Sequence, residues 1–395
     1  MISRFKRRES GDNRGGGQWQ GERKAGKPAV TEHGLKEGLK LGLVGPLPPP
    51  NGGMAMQTLQ LAAILREKQV QVELVQSNAP YRPAFVEQIR GLRALFRLLP
   101  YLFRVWRLAG RSDVIHLMAN SGWSWQLFAA PVIWAGWLRG TPVVVNYRGG
   151  EAREYLARSV AWVRPTLKRA SRLVVPSAFL QSVFRDFGFK AEVVPNIVDL
   201  ELFSASESEV RSEGTFTLAV TRNLEAIYGL DTALRSLALV AEEVSGVELK
   251  IAGSGPQLEA LRELAQQLGI EHQVTFLGRL ERNAIVALYA EADAMLNPTR
   301  VDNMPNSVLE ALACGLPVIS TNVGGVPYIV EDRRTALLVP RDDPQSMAQA
   351  ILELKSDAEL RATLRSEGLR EVARYGRDKV EPLWFDLYRK LEAAS

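Results

Sequence analysis

From residue 39 to the C-terminus, short apolar runs alternate with longer stretches whose apolar residues recur every three or four positions. Short runs bounded by Gly, Pro, Asn and Asp read as buried strands, and the periodic stretches between them read as helices that cover a sheet. A first series places strands at Leu39–Val44, Val70–Val75, Val114–Leu117, Val143–Asn146, Leu173–Val175 and Val193–Val194, with a helix over Met54–Lys68. A second series runs through Phe216–Val220, Glu248–Ile251, Val274–Phe276, Ala294–Leu296, Pro317–Ser320 and Ala336–Val339. Its clearest helix spans 257–268, where Leu258, Leu261, Leu264 and Leu268 mark one face, and Asp343-Pro344 opens another as N-cap and first residue. Between the series, Pro195–Asp199 and the polar stretch Ser204–Gly214 read as a linker. The pattern predicts an α/β protein of two Rossmann-like, doubly wound parallel-sheet domains, 39–203 and 204–377, with a ligand held between them at the carboxyl ends of the strands. Residues 1–38 have almost nothing to bury and read as a disordered basic tail.

A chain of 395 residues with 46% apolar content can fill two such cores. The single cysteine, Cys314, excludes an internal disulfide and a Cys-rich metal site. It reads as a small buried hydrophobe, and this usage fits a reducing cytoplasm. No apolar run reaches the roughly 18 residues of a membrane-spanning helix, and the basic N-terminus lacks the apolar core of a secretory signal. The net charge of +5 divides unevenly: +5 over residues 1–40, +9 over 41–204 and −9 over 205–395. That split points the first half at an anionic surface and the second at a small ligand. No nucleic-acid recognition motif accompanies it, so membrane phospholipid is the surface expected.

The chemistry concentrates in residues 297–325, NPTRVDNMPNSVLEALACGLPVISTNVGG. Asp302 and Glu310 stand eight residues apart across the start of an expected helix carrying Val308, Leu309, Leu312 and Ala313, with Asn303 or Asn306 as its cap. A helix N-terminus offers free N–H groups and partial positive charge to a phosphate. A carboxylate on either side suits hydroxyl groups, so the segment suits the two ends of a sugar nucleotide.

This segment resembles the Glu-x7-Glu signature of the retaining family 4 glycosyltransferases, which have the GT-B fold, with Asp302 in the first Glu position. The resemblance continues in order from about residue 40 to 390. Arg222 matches a diphosphate-binding Arg, and Tyr228 stands where the family has a Lys. Gly253 and Gly255 match a Gly-x-Gly-Pro turn near the nucleotide, and Val274–Leu280, with Arg279, match the strand and loop that meet the nucleobase. Asn303, Met304, Pro305 and Asn306 complete the donor side. In the first domain Gly52-Gly53 match the glycine loop, Arg148 stands near a family His, and Tyr147 and Glu151 fall on the acceptor side.

The resemblance implies transfer of a sugar from a nucleotide-diphosphate donor to a hydroxyl of a lipid-linked or cell-surface polysaccharide acceptor, with retention at the anomeric carbon. Arg222, Asp302, Glu310 and Arg148 are the implied catalytic group, with no metal, no cofactor besides the donor and no dedicated base. A terminal helix at about 378–393 is implied to return to the first domain. Four roles stay open: Asp302 contacts the donor sugar or caps the helix, and Tyr228 hydrogen-bonds the donor or merely packs. Arg148 and Glu151 serve the substrate or pair with each other, and Gly52-Gly53 admit a ligand or only make a turn.

Residues 82–111 have two readings. Arg90, Arg93, Arg97, Arg104, Arg107 and Arg111 project to one side of a helical wheel, roughly opposite Leu92, Leu95, Leu99, Leu102 and Trp106, and Pro100 is expected to split the stretch into two helices. A basic amphipathic helix with aromatics is an interfacial membrane signature, which would hold the protein at the inner face of the cytoplasmic membrane; a core-packed helix with Arg in water is the alternative. Trp123, Trp125, Trp134 and Trp137 add aromatic surface or core nearby. His116, within a strand, reads as a hydrogen-bonded core residue, and His33 and His272 as tail and surface turn. Two rival functions share the fold: a sugar-nucleotide epimerase, and a non-catalytic nucleotide-sugar-binding component of a polysaccharide assembly complex.

Overall fold

The computed structural model describes residues 38–49, 52–80, 92–205 and 214–393. The expected tail, Arg90 and most of the Ser204–Gly214 linker lie outside the described residues. The first sheet comprises β1 (Lys40–Gly45), β2 (Gln71–Gln76), β3 (Val114–Ala119), β4 (Val143–Tyr147), β5 (Arg172–Val175) and β6 (Glu192–Val193), in the order β2-β1-β3-β4-β5-β6. The second comprises β7 (Phe216–Thr221), β8 (Val247–Ala252), β9 (Val274–Gly278), β10 (Ala294–Asn297), β11 (Val318–Thr321) and β12 (Leu337–Val339), in the order β12-β11-β10-β7-β8-β9. All pairings are parallel; in the first sheet Leu41 lies between Val72 and Val114. The central strands β3 and β4 are largely apolar and buried from end to end, as a sheet covered on both sides requires, with His116 and Asn146 as their buried polar exceptions.

Helices α1 (Gly53–Glu67), α2 (Leu92–Ala109), α3 (Ala130–Arg139), α4 (Ala152–Leu167) and α5 (Ala178–Asp186) cover the first sheet. Helices α6 (Leu230–Glu243), α7 (Leu258–Gln267), α8 (Arg282–Glu291), α9 (Asn306–Ala313), α10 (Pro344–Ser356) and α11 (Ala358–Val372) belong with the second, and α12 (Arg377–Glu392) ends the chain. Tyr101, Leu108, Ile133, Leu156 and Phe184 of α2 to α5 form one core with the sheet. Leu61 and Leu65 of α1 form another with Trp384, Phe385 and Tyr388 of α12, on strands β1 and β3. The terminal helix thus packs on the first domain. There Tyr388 Oη lies 2.8 Å from His116 Nδ1, and Asn146 Nδ2 donates to His116 Nε2 at 3.2 Å. Burial, then the nearby Arg148 charge, pushes the imidazole down to about 3, so His116 is a neutral core residue.

The break expected at Pro100 is absent: α2 runs unbroken through it. Pro100 sits on the exposed side of the helix, where solvent can satisfy the carbonyl that its missing N–H leaves free.

Candidate functional site

A cleft of about 880 Å³ opens between the carboxyl ends of the two sheets, within the size range of small-molecule sites. Its second-domain wall is built on α9. Val308, Leu309, Leu312 and Ala313 are buried and anchor this helix, leaving Glu310 to line the cleft. The Glu310 carboxylate makes no hydrogen bond or ion pair with a described residue. Burial pushes it up to about 7, a rise opposed by Arg282 and Arg222.

The loop before α9 carries Asp302, whose Oδ2 bonds the Arg222 guanidinium at very short range and whose Oδ1 accepts from Asn303 N at 2.9 Å. Asp302 therefore caps nothing in α9. Pro305 occupies the N-cap position without a side-chain bond, which corrects the expected Asn cap. The two Asn side chains are engaged across the cleft instead. Asn303 Nδ2 donates to the carbonyls of Arg148 and Gly149 at 3.1 and 2.6 Å, and Asn306 Oδ1 accepts from Asn196 Nδ2 at 2.6 Å. The paired glycine behind this loop has a packing reason: a Cβ on Gly324 would fall 2.1 Å from the Asp302 carbonyl oxygen, and one on Gly325 1.7 Å from that of Asn303.

Arg222 follows β7 directly. Besides Asp302, its guanidinium approaches Ser307 Oγ at 3.4 Å and lies 4.1 Å over the Tyr228 ring. Tyr228 thus offers Arg222 a π-face, and its hydroxyl bonds no described residue. Gly253 and Gly255 serve the local backbone, since a Cβ at either would strike the carbonyl of Arg222 or Leu224 at 1.9 or 2.4 Å. Gly52 and Gly53 differ: nothing lies within 4 Å of a Cβ at Gly52, and only Asn306 Nδ2, at 3.7 Å, at Gly53. Among the described residues, that is open space on the cleft side.

From the first domain Arg148 enters between two amides, bonding Asn196 Oδ1 at very short range and Asn146 Oδ1 at 3.5 Å. It forms no ion pair with a described residue, so the pairing with Glu151 left open by the sequence is not made. Desolvation draws the Arg148 guanidinium down to about 10. Glu151 lies exposed at the mouth and Arg279 lines the opposite wall.

The cleft gathers Gly52, Gly53, Arg148, Glu151, Arg222, Tyr228, Gly253, Arg279, Asp302, Asn303, Met304, Pro305, Asn306 and Glu310. Two expected site residues fall outside its lining. Gly255 is exposed and runs close against the Leu224 backbone, and Tyr147 is a core residue 1% exposed, its ring 4.9 Å from Phe184 and 6.2 Å from Trp125. β4 is buried on both faces, so alternation along it does not tell which side chain reaches the cleft. Asn196, missed by sequence reasoning, joins the domains: it meets Arg148, Asn306 and, at 3.2 Å, the Met304 carbonyl. Its signal was a lone amide after Pro195 in an otherwise apolar run.

Residues 51–202 match the model of Glycosyltransferase Family 4, and residues 204–370 that of Glycosyl transferases group 1. Similar curated proteins include a D-inositol 3-phosphate glycosyltransferase of Mycobacteroides abscessus, 35% identical over 42% of this chain and 39% of that protein. A GDP-mannose-dependent alpha-(1-6)-phosphatidylinositol monomannoside mannosyltransferase of Mycobacterium tuberculosis is 32% identical over 45% of this chain and 50% of that protein. The chain thus spans half or less of the length of these two relatives. A 2-deoxystreptamine N-acetyl-D-glucosaminyltransferase of Streptomyces fradiae is 26% identical over 84% of this chain and 89% of that protein. Among solved structures, sucrose-phosphate synthase of Thermosynechococcus elongatus superposes with a TM-score of 0.74, at 20% identity over 90% of this chain and 100% of that one. Anabaena HepE in complex with UDP-glucose gives 0.69 at 18% identity, over 90% and 99%. The architecture is the GT-B fold.

Proposed function

We propose that this chain, whose residues 51–202 and 204–370 match the models of Glycosyltransferase Family 4 and Glycosyl transferases group 1, transfers a sugar from a nucleotide-diphosphate donor to a hydroxyl of a lipid-linked or polysaccharide acceptor, with retention. The observation that carries this reading is the cleft itself. The unpaired Glu310 carboxylate and the α9 N-terminus face the Arg148 guanidinium and the open space at Gly52-Gly53. Glu310 takes the hydroxyls of the donor's nucleoside end, and the α9 N–H groups take the diphosphate.

Positive charge for the departing diphosphate comes chiefly from Arg148, because Arg222 is already compensated by Asp302 and held by Tyr228. A guanidinium fixed between two amides and drawn partly out of water is preorganised for charge that develops as the leaving group departs. The bond from the anomeric carbon to the phosphate oxygen breaks, the bond to the acceptor oxygen forms on the same face, and the acceptor proton passes to the leaving phosphate oxygen. No protein base is required. The names of the curated relatives, all transferases, favour transfer over epimerisation of a free donor.

The test is product analysis by NMR after screening UDP-, GDP- and ADP-sugars with lipid-linked and oligosaccharide acceptors. The expected product keeps the donor's anomeric configuration. An inverted product would remove the retaining step, and epimerised donor formed without any acceptor would remove transfer.

A further inference from the structure

Among the described residues no helix is long and apolar enough to cross a membrane, yet the first domain exposes an aromatic and basic face. On α2, Tyr101, Val105 and Leu108 turn to the core, while Phe96 (44% exposed), Leu99 (57%), Phe103 (61%) and Trp106 (44%) form a stripe turned away from the sheet. Trp137 and Leu138 of α3 and Trp162 of α4 extend it across the helical layer. Trp123, 78% exposed, stands two residues beyond Ser121, which lines the cleft.

Cations interleave with these rings instead of standing opposite them, as the helical projection had placed them. Arg107 lies 5.7 Å over Phe103, Arg139 4.9 Å over Trp106, and Arg169 4.1 and 4.7 Å over Trp134 and Trp137. From Leu92 to Gly150 the only acid is Asp113, whose carboxylate accepts from Lys40 N at 2.8 Å. Seven Arg fall in the same span. Large apolar side chains exposed together on one face mark an interaction surface. Tryptophan and arginine alternate over α2 and α3, neither of which carries an acid, and α4 carries Arg153, Arg158 and Arg164 to the single acid Glu154; a layer of this kind is matched to the headgroup region of an anionic bilayer.

We propose that the outer face of α2, α3 and α4 docks on anionic phospholipid and brings the cleft mouth, by way of Trp123, to the level of the headgroups. Docking stands apart from the transferase reading; only delivery of a lipid-linked acceptor to the Glu151 side rests on it.

Flotation of the full chain with phosphatidylcholine vesicles, with and without phosphatidylglycerol, tests it. The chain is expected to float with the anionic vesicles, to stay behind with the neutral ones, and to lose binding as salt rises. Phe103→Ser with Trp137→Ser, and separately Arg104→Glu with Arg107→Glu, are each expected to lower binding by roughly tenfold, with melting midpoint and donor turnover unchanged. Wild-type flotation in both double variants would overturn the proposal, because binding would then belong to other residues. So would a wild-type chain that ignores anionic vesicles, or one that uses this face to self-associate in sedimentation. Lost flotation with intact turnover, or the reverse, tells apart failure of docking and failure of the transferase reading.

Discussion

Arg222, Asp302 and Tyr228 form one unit, and its parts predict different outcomes. The Tyr228 ring supports Arg222 from 4.1 Å while its hydroxyl bonds no described residue. Tyr228→Phe is therefore expected to keep kcat/KM within about twofold, whereas Tyr228→Ala loses a cation–π contact and roughly tenfold in kcat/KM. Equal losses in the two variants would show that the hydroxyl acts. Glu310 carries a pH signature. Its folded value near 7 lies above the ordinary 4.5, so between these values the folded chain holds a proton that the unfolded chain has released. Stability of the ligand-free protein is expected to fall as pH rises through that window, and Glu310→Gln to flatten the fall. Melting midpoints measured at successive pH values check it; identical slopes in both proteins would contradict it. The sequence made Glu310 and Arg222 legible as site candidates because apolar and small neighbours mark their elements. Tyr147 was not legible, since a strand buried on both faces erases the period of two that would have shown its direction. The Asn303 and Asn306 side chains were read locally as caps, but their partners lie about 110 to 155 positions away in sequence.

At the scale of elements, α9 and α12 position the site in different ways. α9 is held by its buried apolar face and presents Glu310 and its N-terminus to the cleft. α12 locks the floor of the first domain through Tyr388, which meets His116, which in turn meets Asn146 beside Arg148. Tyr388→Phe leaves a buried imidazole nitrogen without its partner and is expected to cost about 1–3 kcal/mol in urea unfolding. Trp384→Ala, which opens a cavity against His116, is expected to cost about 3–5 kcal/mol. Unchanged urea midpoints would mean that α12 contributes little to the first domain. Strand and helix positions were readable because parallel strands buried on both faces appear as unbroken apolar runs. The continuity of α2 was not readable, because the cost of a helical proline depends on whether its freed carbonyl meets water, and no local pattern reports that.

Over the whole molecule, Asn196 draws the two domains together at the cleft. It accepts from Arg148 in the first domain and donates to Asn306 and the Met304 carbonyl in the second. Asn196→Ala is expected to raise the donor KM, since it loosens the approach of the domains, and to lower kcat as well, since Arg148 loses one of the two amides that fix it. An unchanged donor KM would show that Asn196 does not hold the domains together. The central claim is that a nucleotide-sugar lies between Glu310 and Arg148, and calorimetric titration of UDP-, GDP- and ADP-sugars into the wild-type chain, Glu310→Ala and Arg148→Gln tests it most directly. One nucleotide class is expected to bind the wild type and to bind each variant at least about tenfold more weakly, in line with the loss of a charge-assisted contact. Equal affinity in all three proteins, or no binding by any donor, would contradict it.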